Sequence, residues 1–271
     1  HLMFDRLFIN LSLATMDPAS ASPYGLIVDG ALGVVDGRIA FAGPSGSLPG
    51  SPTALASEVT DARGALVTPA LVDCHTHLVF AGDRSDEFER RMAGATYAEI
   101  AAEGGGILST VRATRAASME ELECEALPRL KALIAGGVGT VEVKSGYGLD
   151  LATELKMLAV ATRLAEKLSI RVQRTLLGLH TVPADFPGGR AAYVDFACDE
   201  LIVSAVGSGL VDAADAYCDT VGFTAEEVRR FFDAAQRAGQ RQFADQLDVA
   251  QCVQRDLPRR GQQPDGHRQV E

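Results

Sequence analysis

The 271-residue sequence lacks the cysteine pattern of a disulfide-linked or zinc-knotted protein. Its five cysteines are odd in number and widely spaced, and no two of them form a Cys-x-x-Cys pair. They are Cys74, Cys124, Cys198, Cys218 and Cys252. This usage argues against a disulfide framework and against a cysteine zinc site, and it is typical of proteins of the reducing cytoplasm.

Long apolar runs and clusters of basic residues are also missing. No run approaches the roughly 20 apolar residues of a membrane span, and Asp5 and Arg6 interrupt the apolar core that a signal peptide needs. Asp and Glu number 36 against 25 for Lys and Arg, which gives a formal net charge of −11. The protein therefore lacks the positive charge that attracts nucleic acids and anionic membranes, and we expect a small-molecule partner.

The pattern of apolar residues changes near residue 66. Before it, short β-like segments are separated by turns, and Asp36-Gly37 is the strongest hairpin signal, which indicates a small β module. After it, apolar strands alternate with amphipathic helices, as in the parallel sheet of a doubly wound fold or a (β/α)8 barrel. The predicted strands are 67–79, 138–145, 170–179 and 211–218, and a fifth is expected near 241.

Two helices of this second region have clear start signals. Asp150 is placed to cap a helix whose apolar stripe begins at Leu151. Thr224 and Glu227 have the capping-box spacing ahead of another helix, which we expect Gly239 to end.

The C-terminal segment 240–271 fits neither pattern. It is rich in Gln and Arg and has neither the period of 2 nor the period of 3.6. We interpret it as an unstructured or frameshifted segment, with a genuine polar tail as the alternative. A complete barrel needs about 250 residues, and only about 205 follow residue 66.

His75 and His77, near the end of the apolar run 70–80, are the most informative residues. Residues i and i+2 of a strand point to the same face about 6 to 7 Å apart, which suits two ligands of one metal ion. The apolar neighbours predict a strand that is buried on both faces. The alternative is a pair of core histidines bonded to protein groups, since buried polar groups are usually paired.

Polar residues at later strand ends are expected near these histidines. Tyr147 follows the second predicted strand, His180 follows the third, and Arg84 lies seven residues after His77. The carboxyl ends of parallel strands form the ligand-binding edge of such sheets. A metal, a phenol, an imidazole and a guanidinium suit a carbonyl substrate that carries a carboxylate. Taken singly, Tyr147 and His180 fit structural roles equally well.

Several segments resemble a known enzyme family over about residues 4–239. VTPALVDCHTH at 67–77 resembles the metal-binding first strand of the amidohydrolase superfamily. Four further segments are similar to the imidazolonepropionase family: FAGDRSDEFE at 80–89, GGGI at 104–107, VKSGYGL at 143–149 and LGLHT at 177–181.

The resemblance implies an α/β protein with a (β/α)8 amidohydrolase barrel, incomplete in this chain, and a small N-terminal β-sandwich module. The implied division is 1–65 for part of the β-sandwich, 66–239 for the partial barrel and 240–271 for an aberrant or disordered tail. The implied reaction is hydrolysis of 4-imidazolone-5-propanoate to N-formimidoyl-glutamate in histidine degradation, with one zinc or iron ion. The intact enzyme would be a cytoplasmic homodimer.

The resemblance also implies roles for the candidate site residues. His75 and His77 would bind the metal ion, while Arg84, Tyr147 and His180 would bind the substrate.

The sequence departs from the family where further metal ligands belong. The family has a third histidine ligand in a His-Ala-Asp run, whereas this chain has Phe243-Ala244-Asp245-Gln246. Two imidazoles are fewer than the three protein ligands usual at catalytic zinc, so we expect this chain, truncated or frameshifted after about residue 239, to be inactive or nearly so. The alternatives are another cyclic-amide or deaminating amidohydrolase and a non-catalytic shortened relative.

Overall fold

The structure is a computed structural model whose contacts divide the chain into two units, His1–Leu71 and Val72–Glu271. The division at residues 65 and 239 expected from the sequence stays a prediction. The residues that the structure describes are 3–96, 99–100, 104–219, 222–242 and 248–249.

The first unit is built on a five-stranded sheet. β1 lies in its middle, antiparallel to β2 and parallel to both β4 and β5, and β3 pairs with β2. A short helix, α1, precedes β4. The elements are β1 (Phe4–Ala14), β2 (Leu26–Val35), β3 (Arg38–Pro44), α1 (Pro52–Leu55), β4 (Ala56–Asp61) and β5 (Leu66–Val67).

The hairpin between β2 and β3 confirms the prediction at Asp36-Gly37. Val35 pairs with Arg38, and the two turn residues have φ angles of 49° and 72°. Positive φ at both central residues is what a type I′ turn requires, and it matches the right-handed twist of the flanking strands.

The second unit contains a five-stranded sheet in which β6 to β10 lie side by side in chain order. β7, β8, β9 and β10 pair in parallel, and β6 lies next to β7. A doubly wound sheet reverses its strand order at a switch point, whereas a (β/α)8 barrel keeps chain order. The observed order therefore fits part of a barrel. The strands are β6 (Leu71–Thr76), β7 (Val138–Lys144), β8 (Arg171–Leu179), β9 (Ala213–Ala216) and β10 (Asp248–Val249).

Helices connect these strands and cover the sheet with two apolar clusters. One cluster joins β7 to α4 and α5 through residues such as Val141, Leu130 and Leu164, and the other joins β8 to the later helices through Leu176 and Phe231. None of the helices in the described ranges is long and apolar enough to span a bilayer. The helices are α2 (Ser85–Met92), α3 (Ile107–Ala116), α4 (Met119–Ala135), α5 (Leu151–Leu168), α6 (Gly189–Phe196), a π-helical turn (Ala197–Leu201), α7 (Ile202–Gly207) and α8 (Ala225–Gln242).

Both predicted helix starts are confirmed. The Asp150 carboxylate accepts the N–H of Thr153 at 2.8 Å at the start of α5. Before α8, the Glu227 carboxylate accepts the Thr224 N–H at 2.7 Å, and the Thr224 hydroxyl accepts the Glu227 N–H at 3.3 Å. The predicted end at Gly239 is wrong, because α8 continues to Gln242. A glycine inside a helix costs only about 1 kcal/mol relative to alanine and does not by itself stop it.

The strand predicted over 67–79 is wrong in its bounds and in its burial. Pro69, which has no N–H to donate, lies between β5 and β6, and β5 belongs to the first sheet. β6 is an edge strand of the sheet formed by the described residues, so Leu71 and Val72 are 58% and 65% exposed. Successive residues of a strand point to opposite faces, so the described residues cover neither face at the start of β6.

The strand expected near 241 is also misplaced, because α8 still occupies 241–242 and the next strand is β10. Phe243-Ala244-Asp245-Gln246 and the segment 250–271 lie outside the described residues.

Candidate active site

Four of the predicted site residues form one cluster at the carboxyl ends of neighbouring strands. His75 lies in β6 and His77 directly after it, while Tyr147 and His180 follow β7 and β8. The ring centroid of His77 lies 5.5 Å from that of His75, 5.3 Å from that of Tyr147 and 5.2 Å from that of His180. The structure therefore brings together the side chains that the strand-end argument expected to meet.

His77 lies at the centre of this cluster and is electrically neutral at pH 7. Burial, followed by the charges of His180, His75 and Lys144, lowers the pKa of His77 to about 4. Its Nδ1 atom is buried and has no hydrogen-bond partner among the residues that the structure describes. A neutral imidazole with a free lone pair is the form that binds metal ions, so this nitrogen fits a metal ligand.

His180 is held in one orientation by the backbone. Its Nδ1 atom lies 2.8 Å from the carbonyl oxygen of Gly146, and because a carbonyl only accepts, Nδ1 carries the hydrogen. The ring stacks on His77 with an interplanar angle of 20°. Burial lowers the pKa of His180, so the ring is neutral at pH 7 and Nε2 is the nitrogen with the lone pair.

A buried network of charged groups joins β7, β8 and β9. The Lys144 amine donates to Glu142 at 2.7 Å and to Asp215 at 2.8 Å, and the Thr175 hydroxyl donates to Glu142 at 2.6 Å. Burial lowers the pKa of Lys144, but the bonds to Asp215 and Glu142 outweigh that effect, so the pKa is raised. These residues were not among the predicted site residues, although charged residues at alternate positions of an apolar strand, such as Glu142 and Lys144, are a signal for such a network.

Arg84 lies beside a cavity next to the imidazoles. The cavity has a volume of about 230 Å³ and is lined by Phe80, Gly82, Asp83, Arg84, Thr110 and Tyr147. Arg84 precedes α2, its side chain is half exposed, and its Nε lies 3.8 Å from a Glu87 oxygen. Burial raises the pKa of Tyr147, against the effect of Arg84, so the phenol keeps its proton and can donate it in a hydrogen bond. The cavity thus offers a cation and a phenol to an anionic ligand.

The two candidate metal ligands, His75 and His77, lie at the end of β6. His75 and His77 meet edge to face at an interplanar angle of 60°. Within 3–96, 99–100, 104–219, 222–242 and 248–249, no group of three His, Cys, Asp or Glu side chains is placed to hold a metal ion. The pair fits part of a metal site, because the buried Nδ1 of His77 is available as a ligand in the tautomer that carries its hydrogen on Nε2.

Solved structures with a similar fold define the class of this protein. The 5-methylcytosine deaminase from Klebsiella pneumoniae matches 90% of this chain and 50% of its own, with a TM-score of 0.57 at 19% identity. The N-isopropylammelide isopropylaminohydrolase from Burkholderia multivorans matches 90% and 52%, with a TM-score of 0.53 at 21% identity. The chain therefore has the amidohydrolase fold with an incomplete (β/α)8 barrel. No family model matches the sequence.

Curated proteins with about half of their residues identical to this chain share one name. The imidazolonepropionase of Ralstonia nicotianae is 52% identical over 238 residues, which are 88% of this chain and 58% of the relative. That of Ruegeria sp. is 52% identical over 227 residues, or 84% and 55%. The chain is similar to these imidazolonepropionases over most of its length, in agreement with its motifs, and it spans a little over half the length of these relatives.

Proposed function

We propose that the second unit supplies the substrate-binding residues and part of the metal site of an enzyme that hydrolyses the cyclic amide 4-imidazolone-5-propanoate to N-formimidoyl-glutamate. The observation that carries this proposal is the convergence of His75, His77, Tyr147 and His180 beside the Arg84 cavity. The imidazolonepropionases at about half identity support it.

The proposed metal is one divalent ion, zinc or iron, with His75 and His77 among its ligands. The buried, unpartnered Nδ1 of His77 supports this assignment. When bound, such an ion lowers the pKa of water towards about 7 and polarises a carbonyl group, which makes a stable cyclic amide open to attack at neutral pH.

The other residues are proposed to bind and orient the substrate. Arg84 pairs with the propanoate, since a guanidinium binds a carboxylate through two parallel hydrogen bonds. The protonated phenol of Tyr147 donates to the ligand from the wall between the cavity and the imidazoles. His180, fixed through Gly146, presents Nε2 to the ring. By holding the ring in one pose, these residues lower the entropic part of the activation barrier, and this effect on the rate is large when the reacting groups are aligned.

The role of Arg84 is tested with imidazole-4-propanoate, a stable ring with the same acidic side chain, by isothermal titration calorimetry on the full chain. Arg84→Met should weaken binding by roughly 10- to 100-fold, because a hydrogen bond to a charged group contributes about 1.5–3 kcal/mol. Arg91→Met, an exposed arginine on the same helix, is the matched control. The neutral amide of the ligand should bind wild type and Arg84→Met alike. Unchanged affinity of Arg84→Met for the acid contradicts the assignment.

The second candidate function is a non-catalytic relative that keeps the ligand pocket. The observation in its favour is that, among the described residues, no group of three His, Cys, Asp or Glu side chains is placed to hold a metal ion. Metal analysis separates the candidates. One tightly held zinc or iron ion per purified chain excludes the non-catalytic form, whereas ligand binding without metal supports it.

A cytoplasmic location and a homodimeric intact enzyme complete the proposal. Support for the location is the cysteine usage, since Cys74, Cys124, Cys198 and Cys218 carry free thiols. The dimer rests on the family resemblance, and light scattering on a full-length relative tests it.

A further inference from the structure

A buried carboxylate lies directly behind the segment that carries Tyr147. Glu154, in the first turn of α5, is 0% exposed. One of its oxygens accepts the N–H groups of Gly148 at 2.8 Å and Leu149 at 2.7 Å. The other accepts the N–H of Gly146 at 2.7 Å. A single side chain therefore binds three backbone donors from four consecutive residues.

These bonds fix the backbone on both sides of Tyr147. Gly146 immediately precedes this residue and Gly148 immediately follows it. Gly146 also connects Glu154 to the imidazole cluster, because its N–H donates to Glu154 and its carbonyl accepts the Nδ1–H of His180. Two of the candidate substrate-binding residues thus depend on one carboxylate.

The segment adopts a backbone conformation that needs such support. Gly146 has a φ of 103° and Leu149 a φ of 58°, and the left-handed region is unfavourable for a leucine. Space is also tight, since a Cβ atom on Gly146 would lie 3.0 Å from Nδ1 of His180, and one on Gly148 would lie 2.7 Å from the Glu154 nitrogen. Without the carboxylate, the three N–H groups would be buried without partners and the segment would relax.

The chemistry of the site requires a carboxylate at this position. Ionised carboxylates only accept hydrogen bonds, whereas a glutamine amide would turn its NH2 group towards at least one of the three donors. Burial raises the pKa of Glu154 above its ordinary value, although the bonds from Ser145 and the three amides oppose this rise. Arg115 fixes the same segment from the other side, since it donates to the carbonyl of Gly148 at 2.6 Å.

We propose that Glu154 is a positioning residue of the candidate active site, which holds Tyr147 and His180 in the orientation that binds the substrate. This inference rests on the proposed function. Glu154 does not touch the ligand cavity, so its effect must pass through the backbone of residues 146–149.

The first test measures amide hydrogen exchange by NMR on the full chain. In the wild type, the amides of Gly146, Gly148 and Leu149 should exchange as slowly as the core amides of α5. In Glu154→Gln at least one of these three should exchange at least about tenfold faster, because the NH2 group of glutamine then faces it in place of a charged acceptor, while the core amides of α5 keep their rates. Glu166→Gln, an exposed glutamate on the same helix, is the matched control and should change none of them.

The second test measures the affinity for imidazole-4-propanoate. Glu154→Gln should weaken binding by about tenfold in the wild-type background and by a smaller factor in a Tyr147→Phe background, because residues that act through one another are not additive. Equal factors in both backgrounds overturn the proposal. Glu154→Asp keeps the charge but is one methylene shorter, and it provides a second variant should Glu154→Gln not fold.

The outcomes of the two tests are separable. Fast exchange of the three amides in the wild type, or acceleration in Glu154→Gln that is uniform along α5, overturns the positioning role whatever the ligand does. A different result is that neither the wild type nor any variant binds imidazole-4-propanoate, while the three amides respond as expected. In that case the proposed function fails, but Glu154 still holds the backbone of the Tyr147 segment.

Discussion

Replacing Lys144 with methionine should destabilise the second unit more than any surface change, because it leaves two carboxylates without their cation. Lys144 is 4% exposed, and the side chains of Glu142 and Asp215 are 14% and 20% exposed. Removing one partner of a buried ion pair typically costs about 3–5 kcal/mol. Glu142 keeps the bond from the Thr175 hydroxyl and Asp215 keeps one from the Ala216 N–H, so we expect the lower end, about 3 kcal/mol.

Urea unfolding followed by far-ultraviolet circular dichroism measures this loss, since the chain has no tryptophan for fluorescence. Lys131→Met on α4, an exposed lysine, should change the unfolding free energy by less than about 0.5 kcal/mol. Adding Glu142→Gln and Asp215→Asn to Lys144→Met should recover more than half of the loss, because the uncompensated charges are removed.

The pH dependence of this effect follows from the pKa of Lys144. The two carboxylates raise the pKa of Lys144 in the folded state above the ordinary lysine pKa of about 10.4. The contribution of Lys144 to the free energy of unfolding is therefore fully present below about pH 10.4, and it is lost as the pH rises through the higher pKa of the folded state. The difference between wild type and Lys144→Met should therefore be constant from about pH 6 to pH 9. A loss below about 1 kcal/mol refutes the reasoning, because the three groups then do not form a buried network.

Two further predictions concern other parts of the second unit. Asp212→Asn should cost about 1.5–3 kcal/mol at pH 7 in urea unfolding, since Arg174 donates to both of its oxygens at 2.7 and 2.8 Å. Burial raises the pKa of Asp212, but the bonds from Arg174 outweigh burial and lower it. The stabilisation by Asp212 is therefore present above about pH 3.9 and is lost as the pH falls. If Asp212→Asn cost as much at pH 2 as at pH 7, this explanation would be contradicted. At pH 8, maleimide should label the exposed Cys74 and Cys124 but not the buried Cys198. Burial raises the pKa of Cys198 to about 11, so its thiol stays protonated and unreactive. Peptide maps that show all three cysteines labelled at one rate would contradict this prediction.

The sequence predicted those features of the fold that depend on local chemistry or on the rule for parallel strands. The turn at Asp36-Gly37 and the caps at Asp150 and Thr224 each need only a few adjacent residues, and each is confirmed. The meeting of His77 with Tyr147 and His180 follows from the rule that parallel strands end at one edge, which needs no side-chain detail.

The features that escaped prediction depend on which elements lie next to one another. The apolar run around Val72 has the composition of a fully buried strand, but its burial depends on a neighbour that the described residues do not provide. The pairing of Lys144 with Asp215 requires the register of three strands, because the two residues are 71 positions apart. Glu154 is near Tyr147 in sequence, yet its position in a helical turn gave no sign that it turns inward to three backbone amides.

Charged side chains from the helices bind the backbone of two of the three segments that carry the candidate site. Glu154 accepts hydrogen bonds from the amides next to Tyr147. Arg129 of α4 donates to the carbonyls of Leu78 at 3.0 Å and Phe80 at 3.1 Å, and its guanidinium lies 3.7 Å from the centroid of the Phe80 ring. Loop peptide groups cannot pair with one another as those of strands do, so buried loops need partners of this kind. Every one of these partners lies within residues 75–180, as do the side chains they support. Groups of this chain therefore support the backbone beside the candidate substrate-binding residue Tyr147 and the segment that follows His77, although the chain spans only a little over half the length of its relatives.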